Sequence, residues 1–596
     1  MTVSIPSRTV WSGGRSPRHP TTRPDNRDGS LPPPRIAHCR NPAALLLVLL
    51  SSACQLERPI GPQADAQPRM LNNVSAPQSL KRVRTSDDDL AELADRLPGF
   101  GGFYYDGQQR LNVWLKDPGR SAEAEVQVAD LLRRRTGRAR DRSEDNAARV
   151  QGMRVRQAQY DFRQLLTWYR GHVLPNVMRL EGITMTDINE QLNRIQVGVA
   201  NAALVEPTRR RIARLPIPND VVQVIVEPLT VPTADAVHAL TPSDAGFRTQ
   251  YLQGIVRPVV GGARIIGYIP NGGGAGNTCT LGFNLVAWVS DTLRPERYFV
   301  TNSHCLPGIG SMGGNAVAQP AASSFVGVET LDPSNLSCVT VVAGVVVPNS
   351  PCRLADAALV LYDSASFSDH GKVAVPAVGE TSFTSTTSIT EVYSPEVGRG
   401  VEMIGSESGR KTGTVTRSCV NIQSTDNIWY LCQGRASYAA QGNDSGSPVI
   451  ERLGDGSVAY GVGLHWGTSS TFGSAFSPLY SVLNDLYSPA IGLLDPTTSP
   501  SQAPVLPSPP TAFELAVYGM TLVGPMTECT WSAVVTGGEA PFEYTWSGLL
   551  SGSSADVYGS MTTSGYLQVV VVDALGVQRT ASILIDFDPE AELYCM

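Results

Sequence analysis

The rhythm of apolar and polar positions divides the chain into unlike stretches. Residues 1–40 are rich in Arg, Pro, Ser and Thr and carry no apolar period, which reads as disorder or as sequence upstream of the true start. Ala43 to Leu50 is then an unbroken apolar run behind Arg40, too short to span a bilayer as a helix. It has the size of a signal-peptide apolar region and is followed by the small residues Ser51-Ser52-Ala53. Residues 55–96 turn polar again and read as a flexible tether.

Between 97 and 230 the pattern is mixed. Phe103-Tyr104-Tyr105, Asp106-Gly107 and the alternating Leu111, Val113 and Leu115 predict a hairpin. Val126, Ala129 and Leu132 sit at helical spacing over 121–136. A strand is expected from Val150 to Tyr160, then a helix capped by Asp161 and carrying Phe162, Leu165, Leu166 and Tyr169. Ile195, Val197 and Val199 alternate as a strand, and a short helix near 204–214 leads to a last strand at Val221 to Val226. The expectation is a small α+β domain of β-α-β-β-α-β character, without Cys and without a catalytic cluster. After a connector at 231–254, residues 255–495 are Gly-rich and β-branched, with turns at short intervals and no amphipathic helix before Leu479 to Leu486, an all-β pattern. Residues 496–511 form a Pro/Ser/Thr linker. Residues 512–596, with Trp531, Trp546, the Gly537-Gly538 turn and the strand Leu567 to Val572, suggest an Ig-like sandwich.

Composition narrows the classes. The 596 residues exceed one typical domain, and 56 Gly with 43 Pro favour loop-rich β structure over a helical bundle. A net charge of −7 leaves no basic excess for nucleic acid. Ten cysteines favour an oxidising compartment. Residues 1–54 are read as a disordered N-terminus and signal peptide, and Cys39 would leave with the signal. Cys54 directly after the small residues resembles a bacterial lipoprotein cleavage site, although Ser51 stands where Leu is usual, and it would then carry lipid and anchor the protein to a membrane. Cleavage by an ordinary signal peptidase is the alternative. The other eight fall as sequential pairs, expected as Cys279–Cys305, Cys338–Cys352, Cys419–Cys432 and Cys529–Cys595, although order alone does not prove connectivity. No clustered Cys/His spacing suggests zinc, and no metal or cofactor is expected.

Three segments of the middle region carry chemistry. An apolar strand ends at Thr301-Asn302-Ser303-His304-Cys305; Asp356 begins the apolar run Ala357 to Val360; and Ser445 sits in the turn Gly442-Asn443-Asp444-Ser445-Gly446-Ser447-Pro448. Each is weak alone. Together they give His, Asp and Ser in that order, separated by 52 and 89 residues. A serine hydroxyl needs a base, a histidine supplies it, and an aspartate fixes the imidazole's tautomer. The order excludes α/β-hydrolases and subtilisins, and Gly442 lies one residue too early for G-x-S-x-G.

On these motifs residues 255–495 resemble a trypsin/chymotrypsin-like serine protease of the bacterial alpha-lytic type. Val259-Val260-Gly261-Gly262 resembles the start of that domain, Cys279-Thr280-Leu281-Gly282-Phe283 its first core strand, and Leu464-His465-Trp466-Gly467 the strand that pairs with substrate. The resemblance implies a double Greek-key barrel and a secreted or cell-envelope endopeptidase acting on proteins or peptides. It implies His304 as general base, Asp356 as its orienter, Ser445 as nucleophile, and the backbone N–H groups of Asn443 and Ser445 as the oxyanion hole. Asn443 stands where the family prefers Gly, and Ser447 departs from its Gly-Gly-Pro. Ala439, six residues before Ser445, replaces the Asp of trypsin-like members and so argues against cleavage after Lys or Arg. His465 resembles the histidine with which glutamyl endopeptidases contact a substrate carboxylate, or else it lines the substrate strand. The resemblance also suggests that 97–230 is an inhibitory, folding-assisting pro-region, making the protein a zymogen; an unrelated binding module is the alternative. The last region resembles PKD-like modules through Cys529-Thr530-Trp531, Pro541 to Trp546 and Val572 to Gly576, with a cell-wall or polymer ligand as its expected partner. A catalytically inactive surface adhesin on the same scaffold is the rival reading.

Overall fold

The computed structural model describes residues 85–135, 150, 152–233, 235–236, 250–270, 277–287, 295–311, 313–337, 351–488, 491, 493–498, 514–525, 528–536, 542–573 and 578–589. The signal-like run with Cys54, Cys39, the tether up to 84, the linker from 499 to 511, Cys338, Cys595, the Gly537-Gly538 turn and 574–576 lie outside them. The described residues are mostly strand, with a few short helices. None of those helices is long and apolar enough to cross a membrane.

The polar stretch read as a tether ends in a helix, Ser86–Arg96. A capping box opens it: the Thr85 hydroxyl accepts from the Asp88 N–H, and the Asp88 carboxylate accepts from the Thr85 N–H at 3.0 Å. Leu90, Leu93, Ala94 and Leu97 form its buried face. The next elements follow the apolar pattern. Phe100–Tyr105 and Leu111–Leu115 form the hairpin, and Arg154–Gln157 adds to it in parallel. The helix Ser121–Arg135 buries Ala124, Val128, Leu131 and Leu132, whereas Val126 is exposed. The apolar stripe therefore sits on a different face from the one expected, because spacing from 124 satisfies four buried positions and spacing from 126 does not. Asp161 caps the helix Phe162–Trp168 through its carboxylate and the Gln164 N–H, at 2.8 Å.

Ile183–Asn189, Arg194–Val199 and Val222–Val226 make a second three-strand unit. Its open edge does not face water. Ile183–Asn189 pairs antiparallel with the long strand Gly409–Gln423, Thr186 opposite Asn421 and Met185 opposite Ile422. One sheet thus runs from the N-terminal segment into the half that carries Ser445. The seam is polar as well as apolar. The Arg417 guanidinium meets Asp187 at 2.9 Å, Arg435 meets Glu227, and the Ser418 hydroxyl donates to Glu190. Burial pushes the Asp187, Glu190 and Glu227 carboxyls up, with Arg417 or Arg435 pulling each back down.

Two sheets position the site, a separate one and the one that the N-terminal strands join. In the first, Glu296–Thr301 lies between Asn284–Ala287 and Ala358–Tyr362, with Thr301 opposite Ala358. The second places Pro448–Leu453 beside Val458–Ser469, which pairs on its other side with Gly473–Pro478. The helix Leu479–Asp485 follows where the apolar pattern put one. At the far end, sheets of three and four strands enclose one cluster around Trp531, Trp546, Leu567, Val569 and Ile585. Cys279–Cys305 and Cys419–Cys432 are disulfide-bonded, and Cys352 and Cys529 also sit in disulfides.

The seam yields a first prediction. Arg435→Met leaves the Glu227 carboxylate buried without its cation and is expected to cost roughly 3 kcal/mol. Urea unfolding of the full-length chain in a Ser445→Ala background measures this. Adding Glu227→Gln should recover part of the loss.

Candidate active site

His304 and Asp356 arrive from neighbouring strands of one sheet. The strand Glu296–Thr301 runs out into a tight 3₁₀ turn, Ser303–Cys305, while Asp356 stands two residues before the start of Ala358–Tyr362. Because Thr301 and Ala358 are paired, both side chains emerge at the same sheet end. His304 Nδ1 lies 2.5 Å from Asp356 Oδ2, and the His304 backbone N–H donates to Asp356 Oδ1 at 3.3 Å. The Asn302 amide donates to the Asp356 carbonyl at 2.7 Å, and the Asp356 N–H donates to Ser477 Oγ at 3.0 Å. Burial raises the Asp356 carboxyl, but the His304 charge and hydrogen bonds outweigh it, and the net direction is down.

Ser445 comes from the other sheet, in the loop between Trp429–Ala436 and Pro448–Leu453. Its Oγ lies 2.7 Å from His304 Nε2. The turn is held by strained or crowded positions. Asn443 has φ of 70°, the left-handed conformation that Gly would adopt freely. Gly446 has φ of 88°, and a Cβ there would stand 2.1 Å from the Thr280 carbonyl oxygen and 2.4 Å from Thr301 Oγ1. The buried Asp444 carboxylate is turned away from the cleft, accepting from the N–H groups of Gln441, Glu407 and Ser408 at 2.9, 3.1 and 3.0 Å. Among the described residues, the Asn443 and Ser445 N–H groups donate to no protein acceptor, as an oxyanion site requires.

Behind His304 lies a buried polar cluster that the motifs did not reveal. Ser303 Oγ donates to Asp332 at 2.7 Å and accepts from Arg353 at 3.0 Å, and Arg353 also meets Asp332 at 2.9 Å. An arginine in the short stretch before Asp356 was its one visible trace in the sequence. Cys279 and Cys305 lie near His304 and could suggest metal ligands, but their sulfurs are joined to each other.

The cleft is occupied by the chain's own connector. Val231–Pro232 pairs antiparallel with the strand at Thr468 and Gly467. The Thr233 N–H donates to the Trp466 carbonyl at 3.2 Å and stands 3.1 Å from Ser445 Oγ. Thr233 Oγ1 lies 2.9 Å from Ser445 Oγ and 3.1 Å from His465 Nε2. Gly467 admits this strand, since a Cβ would come 2.8 Å from the Val231 carbonyl oxygen. Of the expected substrate-strand residues, Trp466 contributes its carbonyl, while its indole is buried against Tyr430 with ring centroids 4.6 Å apart. Leu464 is a core residue packed under Gly282, not a cleft wall. Ala439, expected at the pocket base, is exposed; the side chain that meets His465 is the buried Tyr438, whose OH lies 3.3 Å from His465 Nδ1. Counting back six residues from Ser445 misses it by one position.

No family model and no curated protein matches this chain. Solved structures do. A glutamic acid specific serine protease described as using a histidine triad in substrate binding is 27% identical, with 38% of this chain and 96% of that one covered and a TM-score of 0.26. Thermobifida fusca protease A is 20% identical over 38% of this chain and 94% of its own, with a TM-score of 0.26. Nocardiopsis protease is 22% identical over 38% and 95%, again at 0.26. At such scores the likeness carries no argument about activity, and the chemistry rests on the distances around Ser445.

Gly446→Ala tests the turn. A side chain at positive φ, pressed against Thr280, is expected to cost about 2–4 kcal/mol. Urea unfolding followed by tryptophan fluorescence checks it, and an unchanged midpoint contradicts the tight packing.

Proposed function

We propose that this chain is a serine endopeptidase of the secreted or cell-envelope kind, with residues 85–233 acting as an inhibitory segment. The observation that carries the reading is a single row of contacts. Ser445 Oγ is 2.7 Å from His304 Nε2, His304 Nδ1 is 2.5 Å from Asp356, and a backbone N–H sits 3.1 Å from the same Oγ. A peptide laid as Val231–Thr233 is runs along the strand edge up to the serine hydroxyl.

The steps follow from these positions. Ser445 Oγ attacks the carbonyl carbon of the acyl-side residue while His304 Nε2 takes the hydroxyl proton. Asp356 holds the Nδ1–H and stabilises the imidazolium. The carbonyl oxygen, now negative, is met by the N–H groups of Asn443 and Ser445. The carbon–nitrogen bond breaks, and His304 returns its proton to the leaving amine. Water then attacks the acyl-enzyme, its proton passing to His304, and releases the acid with Ser445 restored. The antiparallel pairing with Gly467 and Thr468 supports a peptide as substrate, since that strand edge offers backbone donors and acceptors at peptide spacing. The same pairing supports an inhibitory role for the N-terminal segment, which fills the cleft and joins its sheet to the catalytic half.

Ser445→Ala removes only the nucleophile and is expected to lower peptide hydrolysis by on the order of 10⁴–10⁶ while leaving the fold. A fluorophosphonate probe should label Ser445 of the parent once the N-terminal segment has left the cleft, and leave the variant unlabelled. Equal hydrolysis by parent and variant overturns the reading.

A further inference from the structure

The contact of Thr233 with His465 goes beyond peptide hydrolysis and concerns which side chain the pocket accepts; it rests on the proposed endopeptidase. We propose that the cleft selects a β-hydroxyl side chain, threonine above all, on the acyl side of the bond it cuts, with His465 as the residue that reads the hydroxyl and Tyr438 as its positioning residue.

The Thr233 hydroxyl bridges two groups, at 2.9 Å from Ser445 Oγ and 3.1 Å from His465 Nε2. His465 is buried, and its other nitrogen faces the Tyr438 hydroxyl at 3.3 Å, with the two rings edge-on at 5.6 Å between centroids. Tyr438 is itself buried, and burial pushes its phenol well above the usual value, so it stays a hydroxyl. Burial also pushes the His465 imidazole down to about 3, so the ring that meets the substrate is neutral. A neutral imidazole presents either an N–H or a lone pair at Nε2. A hydroxyl matches both, because it donates and accepts.

Other side chains fit worse for separate reasons. Valine has threonine's shape, but its methyl would stand at 2.9 and 3.1 Å from polar atoms, inside the ~3.5 Å that carbon contacts need, and Nε2 would be left unpaired. A carboxylate only accepts, and it brings a charge into a buried pocket whose histidine resists protonation. Lysine and arginine bring a charge into the buried pocket, and the Asp444 carboxylate of the serine turn is already spent on three backbone N–H groups. Alanine fits but forgoes the hydrogen bond. The site therefore ranks Thr and Ser first, then Ala, then Val, Glu and Lys.

The test uses the full-length chain and its own bond after Thr233. Mass spectrometry follows the fragment that begins at Ala234 in the parent and in Thr233→Ser, Thr233→Val and Thr233→Glu. Ser is expected to cleave within ~10-fold of the parent, and Val and Glu to fall by roughly 10- to 100-fold. In His465→Leu the Thr and Val chains should be cut at similar rates. Tyr438→Phe should shrink the Thr-to-Val ratio, a readout that simple destabilisation does not move, and it serves if His465→Leu fails to fold. Equal rates for Thr and Val in the parent overturn the proposal, as does faster cutting after Glu that rises as pH falls, which would mark His465 as a reader of acids. A chain labelled at Ser445 but cut elsewhere overturns this inference and leaves the endopeptidase standing. A chain neither labelled nor cut anywhere overturns both.

Discussion

Everything at the candidate site depends on how Thr280 meets the serine turn. His304 and Asp356 belong to one sheet and Ser445 to another, so no single sheet fixes their distances. Thr280 joins them. Its N–H donates to the Ser445 carbonyl at 2.8 Å, and its hydroxyl donates to the Asn443 carbonyl at 2.9 Å. Its own carbonyl accepts from Thr301 Oγ1 at 3.0 Å and presses against Gly446. The neighbouring Cys279 is bonded to Cys305, the residue after His304. One short strand is therefore tied on one side to the histidine and on the other to the serine. That explains why the turn tolerates left-handed Asn443 and requires Gly446: a small shift there is a shift of the nucleophile from its base.

The N-terminal segment adds a second constraint of a different kind. It touches the catalytic half at a sheet edge through Ile183–Asn189, at buried charges through Asp187 and Glu227, and at the cleft through Val231–Thr233. The first two contacts lie on strand Gly409–Gln423 and its neighbour Trp429–Ala436, and the third on Val458–Ser469. Opposite charges matched in a buried seam favour one register over others, since any slip would leave a carboxylate without its guanidinium. The cleft contact then follows from that register, because only a few residues separate Glu227 from Thr233.

Much of this was legible in the sequence, for reasons that particular residues make clear. The segments around His304, Asp356 and Ser445 are short, and their residue types are dictated by chemistry, so they stand out without any knowledge of packing. Most elements between 100 and 226 follow apolar spacing, which local sequence carries directly, but the strand Ile183–Asn189 drew no expectation because its buried Thr184, Thr186, Asp187 and Asn189 break the apolar run. The helix Ser86–Arg96 did not stand out because its first turn is a run of acids that complements a helix N-terminus yet resembles a solvated tether. Thr233 was invisible because a two-residue strand has no period; its partner lies more than two hundred residues away. Tyr438 was missed because counting along a loop gives a position, not a direction, and Ala439 points outward while Tyr438 points in. The Ser303, Asp332 and Arg353 cluster escaped because its members are scattered and meet only through folding.

The shared sheet has a consequence for the catalytic half by itself. Where Asn421 and Ile422 now pair with Thr186 and Met185, loss of the N-terminal segment would uncover strand backbone beside buried Val420, Ile422 and Tyr430. A bare strand edge flanked by apolar side chains is a template for another chain. Release of the half that carries Ser445 and its self-association are thus opposite uses of one edge, and dilution would tip the choice toward the monomer.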